Sequence, residues 1–149
     1  MTLTEKEKLL LKDLKSSEKL CIEKYEKFAS EAARPELKSV FEEIKQVEQG
    51  HLNTITGILD GNMPGSEGGS TFNPSAVEKV NYTEEERKKD KYLCEDALST
   101  EKYVSSSYNT AVFEFAQAPL RNCLNHIQKE EQQHGEKIYN YMAANGMYN

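Results

Sequence analysis

Apolar residues recur at the three-and-four spacing of an amphipathic helix along almost the whole chain. One seam reads Leu11, Leu14, Glu18, Cys21, Tyr25, Phe28 and Ala32. A second reads Leu37, Phe41, Ile44, Glu48, His51, Ile55 and Ile58. A third reads Cys94, Ala97, Glu101, Val104, Tyr108, Ala111 and Phe115. The fourth reads Leu120, Leu124, Ile127, Glu131, His134, Ile138 and Tyr141. Boundary signals frame these seams. Thr4 with Glu7, and Thr83 with Glu86, have the spacing of capping boxes. Pro35 and Pro119 suit first turns. Gly61 and Asn145-Gly146 suit helix stops. The spacing predicts four long helices, over about 4–33, 35–60, 84–116 and 119–144. Residues 61–74, rich in Gly, Ser, Pro and Asn, predict a loop, with a short helical turn around 75–80.

The chain repeats itself. At an offset of 83, residues 11–59 align with 94–142 without a gap, and 13 of the 49 pairs are identical. They include Asp13/Asp96, Glu18/Glu101, Lys19/Lys102, Tyr25/Tyr108, Glu48/Glu131 and His51/His134. The prediction is one all-α domain over 1–149: an antiparallel four-helix bundle of two repeated hairpins, 4–60 and 84–144, joined by a long crossover over 61–83. The crossover is expected to start the second hairpin at the same end of the bundle as the first. Two copies of so long a unit are too few for a solenoid.

Each seam places ionisable residues in mid-core: four glutamates and two histidines. A buried carboxylate without a partner costs several kcal/mol, roughly, even after relaxation. No Lys or Arg lies on these seams. Two divalent cations would bring four carboxylates and two neutral imidazoles to zero net charge. The heights agree. Glu18 lies 16 residues before the turn at Arg34, and Glu48 and His51 lie 14 and 17 after it. Glu101 lies 16 before Gln117, with Glu131 and His134 14 and 17 after. At ~1.5 Å per residue all six fall near one level. Glu48-x-x-His51 and Glu131-x-x-His134 each put carboxylate and imidazole on one helix face. One Glu from each of two helices and a Glu-x-x-His from each of the others is a dinuclear metal-carboxylate set. The alternative is a tolerated polar core, or helices rotated so that the seams face water, and the unbroken apolar neighbours argue against rotation.

Tyr25 and Tyr108, seven residues after Glu18 and Glu101, read either as core packing or as phenols near the metals. In the second reading they donate to a bound carboxylate or act in redox chemistry. Cys21, Cys94 and Cys123 read as small apolar core residues. They are too widely spaced for a disulfide framework or a CxxC site. His126 lies off the seam and reads as a surface residue. Asp13/Asp96 and Lys19/Lys102 flank the seams, as ligand-orienting groups or as surface ion pairs. The glycines of 61–69 lack the Lys-Ser/Thr and the preceding strand of a phosphate loop.

Composition narrows the partners. With 25 acidic and 19 basic residues the net charge is -6 and there is no basic block, so nucleic acid and anionic membrane are poor candidates. No apolar run is long enough for a membrane span or a secretory signal, and the expected location is the cytoplasm or a structure assembled from it.

The six ligands together with Tyr25 and Tyr108 resemble the ferritin-like superfamily, in particular its ferritin and rubrerythrin branch. Residues 11–19, Cys94 to Ser99, Glu131 to Gly135, Ile138-Tyr139 and Gly146-Met147-Tyr148 resemble the spore coat F family of endospore-forming bacteria. This resemblance spans most of the chain apart from the Gly-rich crossover. It implies spore association, coat proteins as partners, and a homo-oligomer, a dimer first. The sequence lacks the fifth short helix of cage ferritins, which argues against a 24-subunit mineral store. It lacks the CxxC pairs of rubrerythrins, so a peroxidase would need an external reductant. The resemblance implies two metal ions, iron first, with manganese or zinc as alternatives. Two functions are expected. One is a redox metalloprotein acting on Fe(II) with O₂ or peroxide. The other is a structural coat component whose metals are a staple or are missing. In that second case the exposed faces and the tyrosines Tyr139, Tyr141 and Tyr148 would make contacts or cross-links.

Overall fold

The computed structural model describes residues 1–65 and 71–148. Among these residues lie four helices: α1 (Glu5–Glu31), α2 (Pro35–Leu59), α3 (Glu84–Val112) and α4 (Ala118–Ala144). Both predicted capping boxes form. Thr4 Oγ1 accepts from Glu7 N–H at 3.1 Å while Glu7 accepts from Thr4 N–H at 2.9 Å. Thr83 and Glu86 repeat this at 3.2 and 3.0 Å. Both predicted stops hold as well. Gly61 (φ 93°) and Gly146 (φ 69°) adopt the left-handed conformation that glycine takes without a Cβ penalty. Asn62 N–H donates back to Gly57 O, and Gly61 N–H to Ile58 O, closing α2 with a Schellman motif.

Two boundaries differ from expectation for tertiary reasons. α3 ends at Val112 rather than near 116. The chain leaves the helix there, exposing Phe113 and burying Phe115. Glu7 accepts from Ala116 N–H at 3.1 Å, and Arg121 donates to the Phe115 and Ala116 carbonyls at 2.8 Å. The predicted helical turn at 75–80 is also absent; only Pro74-Ser75 turns. This segment bonds sideways to α4 instead. Val80 N–H donates to Asn145 Oδ1 at 2.7 Å, and Asn145 Nδ2 donates to Glu78 O at 2.9 Å. The middle of the predicted Gly-rich loop, residues 66–70, lies outside the described residues.

α1 packs against α2 and α3 against α4, as the two-hairpin reading requires, with α1 beside α3 and α2 beside α4. The direction of the second hairpin corrects the sequence reading. Asp90, near the start of α3, accepts from Ala33 and Arg34 N–H at the far end of α1, at 2.7 and 3.3 Å. The second hairpin therefore starts at the opposite end from the first, and every neighbouring pair of helices is antiparallel. The crossover climbs the bundle beside α4. Phe72 meets His134, Lys137 donates to Asn73 O at 3.0 Å, and Asn140 donates to Pro74 O at 3.0 Å.

The core is divided. One apolar cluster contains Tyr25, Phe28, Phe41, Leu93, Ile138 and Tyr141. The other contains Leu11, Leu14, Ile55, Tyr108, Leu120 and Leu124. Burying each large apolar side chain stabilises the fold by roughly 1.5–3 kcal/mol. The Glu and His residues of the four seams lie between the two clusters. Cys21, Cys94 and Cys123 are buried, as expected of small apolar core residues.

A candidate metal centre in mid-bundle

The structure buries all six seam residues: Glu18, Glu48, His51, Glu101, Glu131 and His134 are each at most 4% exposed. Each sits near the middle of its helix, which is where two opposed hairpins share one level. Because the hairpins run oppositely, the interactions cross between them. His51 Nδ1 lies 2.8 Å from Glu131 Oε1, and His134 Nδ1 lies 2.9 Å from Glu48 Oε1. His134 Nδ1 is also 3.2 Å from Glu101 Oε1, while His51 Nδ1 is 3.7 Å from Glu18 Oε1. Within each helix the Glu-x-x-His pair is 3.7 Å apart. The imidazole rings stack with centroids 6.1 Å apart.

The tyrosines cross too. Tyr25 Oη donates to Glu101 at 2.7 Å, and Tyr108 Oη donates to Glu18 at 2.6 Å. The sequence reading left open which carboxylate each phenol meets; the opposed hairpins deliver the one on the other hairpin. Both phenols are pushed well above their ordinary pKa, by burial first and by the accepting carboxylate second, so both are neutral donors.

Two sets of four side chains converge. Glu18, Glu48, His51 and Glu131 offer ligand atoms all within 4.8 Å of one another. So do Glu48, Glu101, Glu131 and His134. The sets share Glu48 and Glu131. Protein groups leave much of this cluster unsatisfied. Glu18 Oε2, Glu101 Oε2, both oxygens of Glu48 and of Glu131, His51 Nδ1 and His134 Nε2 lack an aligned hydrogen bond despite the short contacts. Buried polar atoms are normally paired, because stripping their water without replacement costs about 1–3 kcal/mol each. Oxygen and imidazole donors in this number fit a divalent cation, so these groups could hold a metal ion.

Without a cation, protons take its place. Burial, then repulsion from Glu48, pushes Glu18 well above the usual carboxylate range. Burial and Glu131 raise Glu48. Burial opposes charge on His51, but the bond to Glu130 and the close Glu131 carboxylate outweigh it and push its pKa up to about 9. His134 is raised in the same way, burial being overcome by Glu101 and then by Glu131 and Glu48.

Beyond the six, the halves differ. Glu130 Oε1 lies 2.9 Å from His51 Nε2 and 3.2 Å from His126 Nε2. This corrects His126, which is partly covered and reaches the cluster through Glu130 rather than lying at an open surface. The repeat counterpart of Glu130 is Val47, and Phe72 lies against the other imidazole, 5.2 Å from His134. Asp96 pairs with Lys24 at 3.2 Å, which fits the surface ion-pair reading of that residue. Sequence reasoning missed Glu130 and the buried acid Asp90, and it read Glu7 as a cap without foreseeing its burial. The signal for these last two lay in the offset of 83, which pairs Glu7 with Asp90 and Ala116 with Ala33. Each acid caps the hairpin turn of the opposite half. Tyr141 is fully buried beside Tyr82 at 2.5 Å, so it is not available for contacts outside the bundle, whereas Tyr139 and Tyr148 are exposed.

Fold and site together define the class: an all-α bundle of two hairpins with a buried Glu/His cluster capable of holding metal. Residues 89–149, covering most of α3, all of α4 and the tail, match the family model of the Coat F domain. This match, confined to less than half of the chain, supports the spore coat F resemblance. No curated protein and no solved structure matches the chain. Among the described residues no helix is long and apolar enough to cross a membrane.

Proposed function

We propose that this is a ferritin-like protein of the spore coat that binds two metal ions, iron first, and reacts with Fe(II) and O₂ or peroxide. The observation that carries this reading is the pair of four-residue sets sharing Glu48 and Glu131. In it, Glu18 and His51 would help hold one ion and Glu101 and His134 the other, with Glu48 and Glu131 available to either. When bound, a pair of iron ions supplies two electrons, one from each, enough to take hydrogen peroxide and two protons to two waters. The chain's own residues set the conditions. Tyr108 and Tyr25 hold Glu18 and Glu101 by hydrogen bonds, fixing which carboxylate oxygens stay free for metal. Glu130 fixes the His51 ring through Nε2, leaving Nδ1 turned toward Glu131. The apolar clusters on either side keep bulk water from the carboxylates.

The test is anaerobic addition of two Fe(II) per chain, followed by peroxide or air, with absorbance and oxidant consumption recorded and Glu48→Ala as control. Rapid growth of diferric absorption that the variant lacks supports the proposal. Binding without oxidation leaves a structural metal. No binding above the variant removes the metal altogether.

A further inference from the structure

A groove of about 620 Å³ lies between α3 and α4, and its floor includes Glu101 and Glu131 of the buried cluster. Its walls include Ser105, Gln128 and Gly135. The repeat explains why it is open here. At the equivalent places between α1 and α2 the chain carries Ile22 for Ser105 and Leu52 for Gly135, both partly buried. Two bulky aliphatic side chains on one face of the bundle are thus replaced on the other by a hydroxymethyl and a hydrogen. Gln128 Nε2 donates to the Ser105 carbonyl at 3.2 Å, which holds that long side chain across α3. A Cβ built at Gly135 meets nothing within 4 Å, so the space above it is free. The charged groups on the groove are three carboxylates, Glu101, Glu131 and Glu136, against one cation, Lys102. A cleft with apolar walls and excess negative charge draws cations inward.

We infer that this groove is the entrance by which divalent cations reach the cluster, and that Gly135 and Ser105 are the residues that keep it open. The inference rests on the metal reading above and adds the route. It makes the two faces of the bundle unequal: ions enter from the second hairpin's side, past Glu136 to Glu131, one of the two shared glutamates.

The test is stopped-flow uptake of Co(II) by the metal-free full chain, read from the ligand-field bands, with bound cobalt counted at equilibrium. Gly135→Leu restores the side chain of the first hairpin and has room to do so. It is expected to slow uptake tenfold or more while the final cobalt count and spectrum stay the same. Gly135→Ala should fall between. Glu136→Gln should slow uptake severalfold at low salt and less at high salt. Equal rates in wild type and Gly135→Leu, at equal final loading, overturn the route and leave the metal site standing. Cobalt lost at equilibrium in Gly135→Leu also overturns it, because residue 135 then acts on the ligands rather than on the passage. No cobalt bound by the wild type overturns route and site together.

Discussion

The two hairpins share one plan, yet they keep it in some places and abandon it in others. At the cluster they are near copies. Tyr25 bonds Glu101 as Tyr108 bonds Glu18, and His51 faces Glu131 as His134 faces Glu48. At the turns they are copies again, with Asp90 and Glu7 each capping the other's loop. One step outward they part: Glu130 against Val47, Ser105 against Ile22, Gly135 against Leu52. The repeat persists where buried charges must find one another across the bundle, since an unmatched one there costs several kcal/mol, roughly.

That comparison can be broken most severely at the centre. Glu48→Ala removes a ligand from both sets, whereas Glu18→Ala and Glu101→Ala each remove a ligand from one. Metal counted at equilibrium should fall from two ions to none in the first variant and to one in each of the others. Equal losses from all three would show that the sets do not share Glu48.

The next effect is on pH dependence. In the metal-free protein His51, His134, Glu18 and Glu48 all hold their protons more tightly than in the unfolded chain. A raised folded pKa gives stability that is present at low pH and lost as pH rises. The contribution of His51 should be complete below its ordinary pKa of 6.5 and vanish through about 9. The metal-free melting temperature should therefore fall over that window. Bound metal requires deprotonated ligands, so the loaded protein should show the opposite slope in metal affinity, which rises with pH.

A smaller effect sits at the turns. Asp90→Ala strips partners from Ala33 N–H, Arg34 N–H and the Tyr82 hydroxyl, whereas Glu7→Ala frees Ala116 N–H and breaks a capping box. A buried donor left alone costs about 1–3 kcal/mol and a lost cap about 1 kcal/mol. Urea unfolding should show Asp90→Ala as the more damaging of the pair. Smallest of all, Glu130→Gln keeps a hydrogen-bond acceptor near His51 but removes the charge. Its NMR titration should show the His51 pKa falling below that of wild type, with His134 moved less, since the repeat counterpart of Glu130 is Val47.

Much of the site was legible in the sequence because helical periodicity is local. Glu18, Glu48, His51, Glu101, Glu131 and His134 stand on apolar seams, so their burial followed once the helices formed. The matched-height reading survived even though the direction of the second hairpin was misread. Glu18 is the midpoint of α1 and Glu131 the midpoint of α4, and a mid-helix residue stays at mid-height whichever way its hairpin points. The tyrosines were found but not their partners, which depend on that direction. Glu130, off the seam, gave no periodic signal.

By itself the sequence determined the four helices, their caps and stops, the doubled hairpin and the six ionisable residues at its centre. Those are matters of hydrogen-bonding geometry and of polarity repeated every three or four residues, and neighbours in the chain suffice for them. Tertiary structure decided the antiparallel relation of the hairpins and hence the crossing of every Tyr–Glu and His–Glu contact. It also decided the extended path of 76–82 along α4. A connection of more than 20 residues can reach either end of a bundle this long. The choice falls instead to side chains far apart in sequence, such as Asp90 beside Ala33 and Asn145 beside Val80, whose bonds form in one arrangement of the hairpins and not in the other.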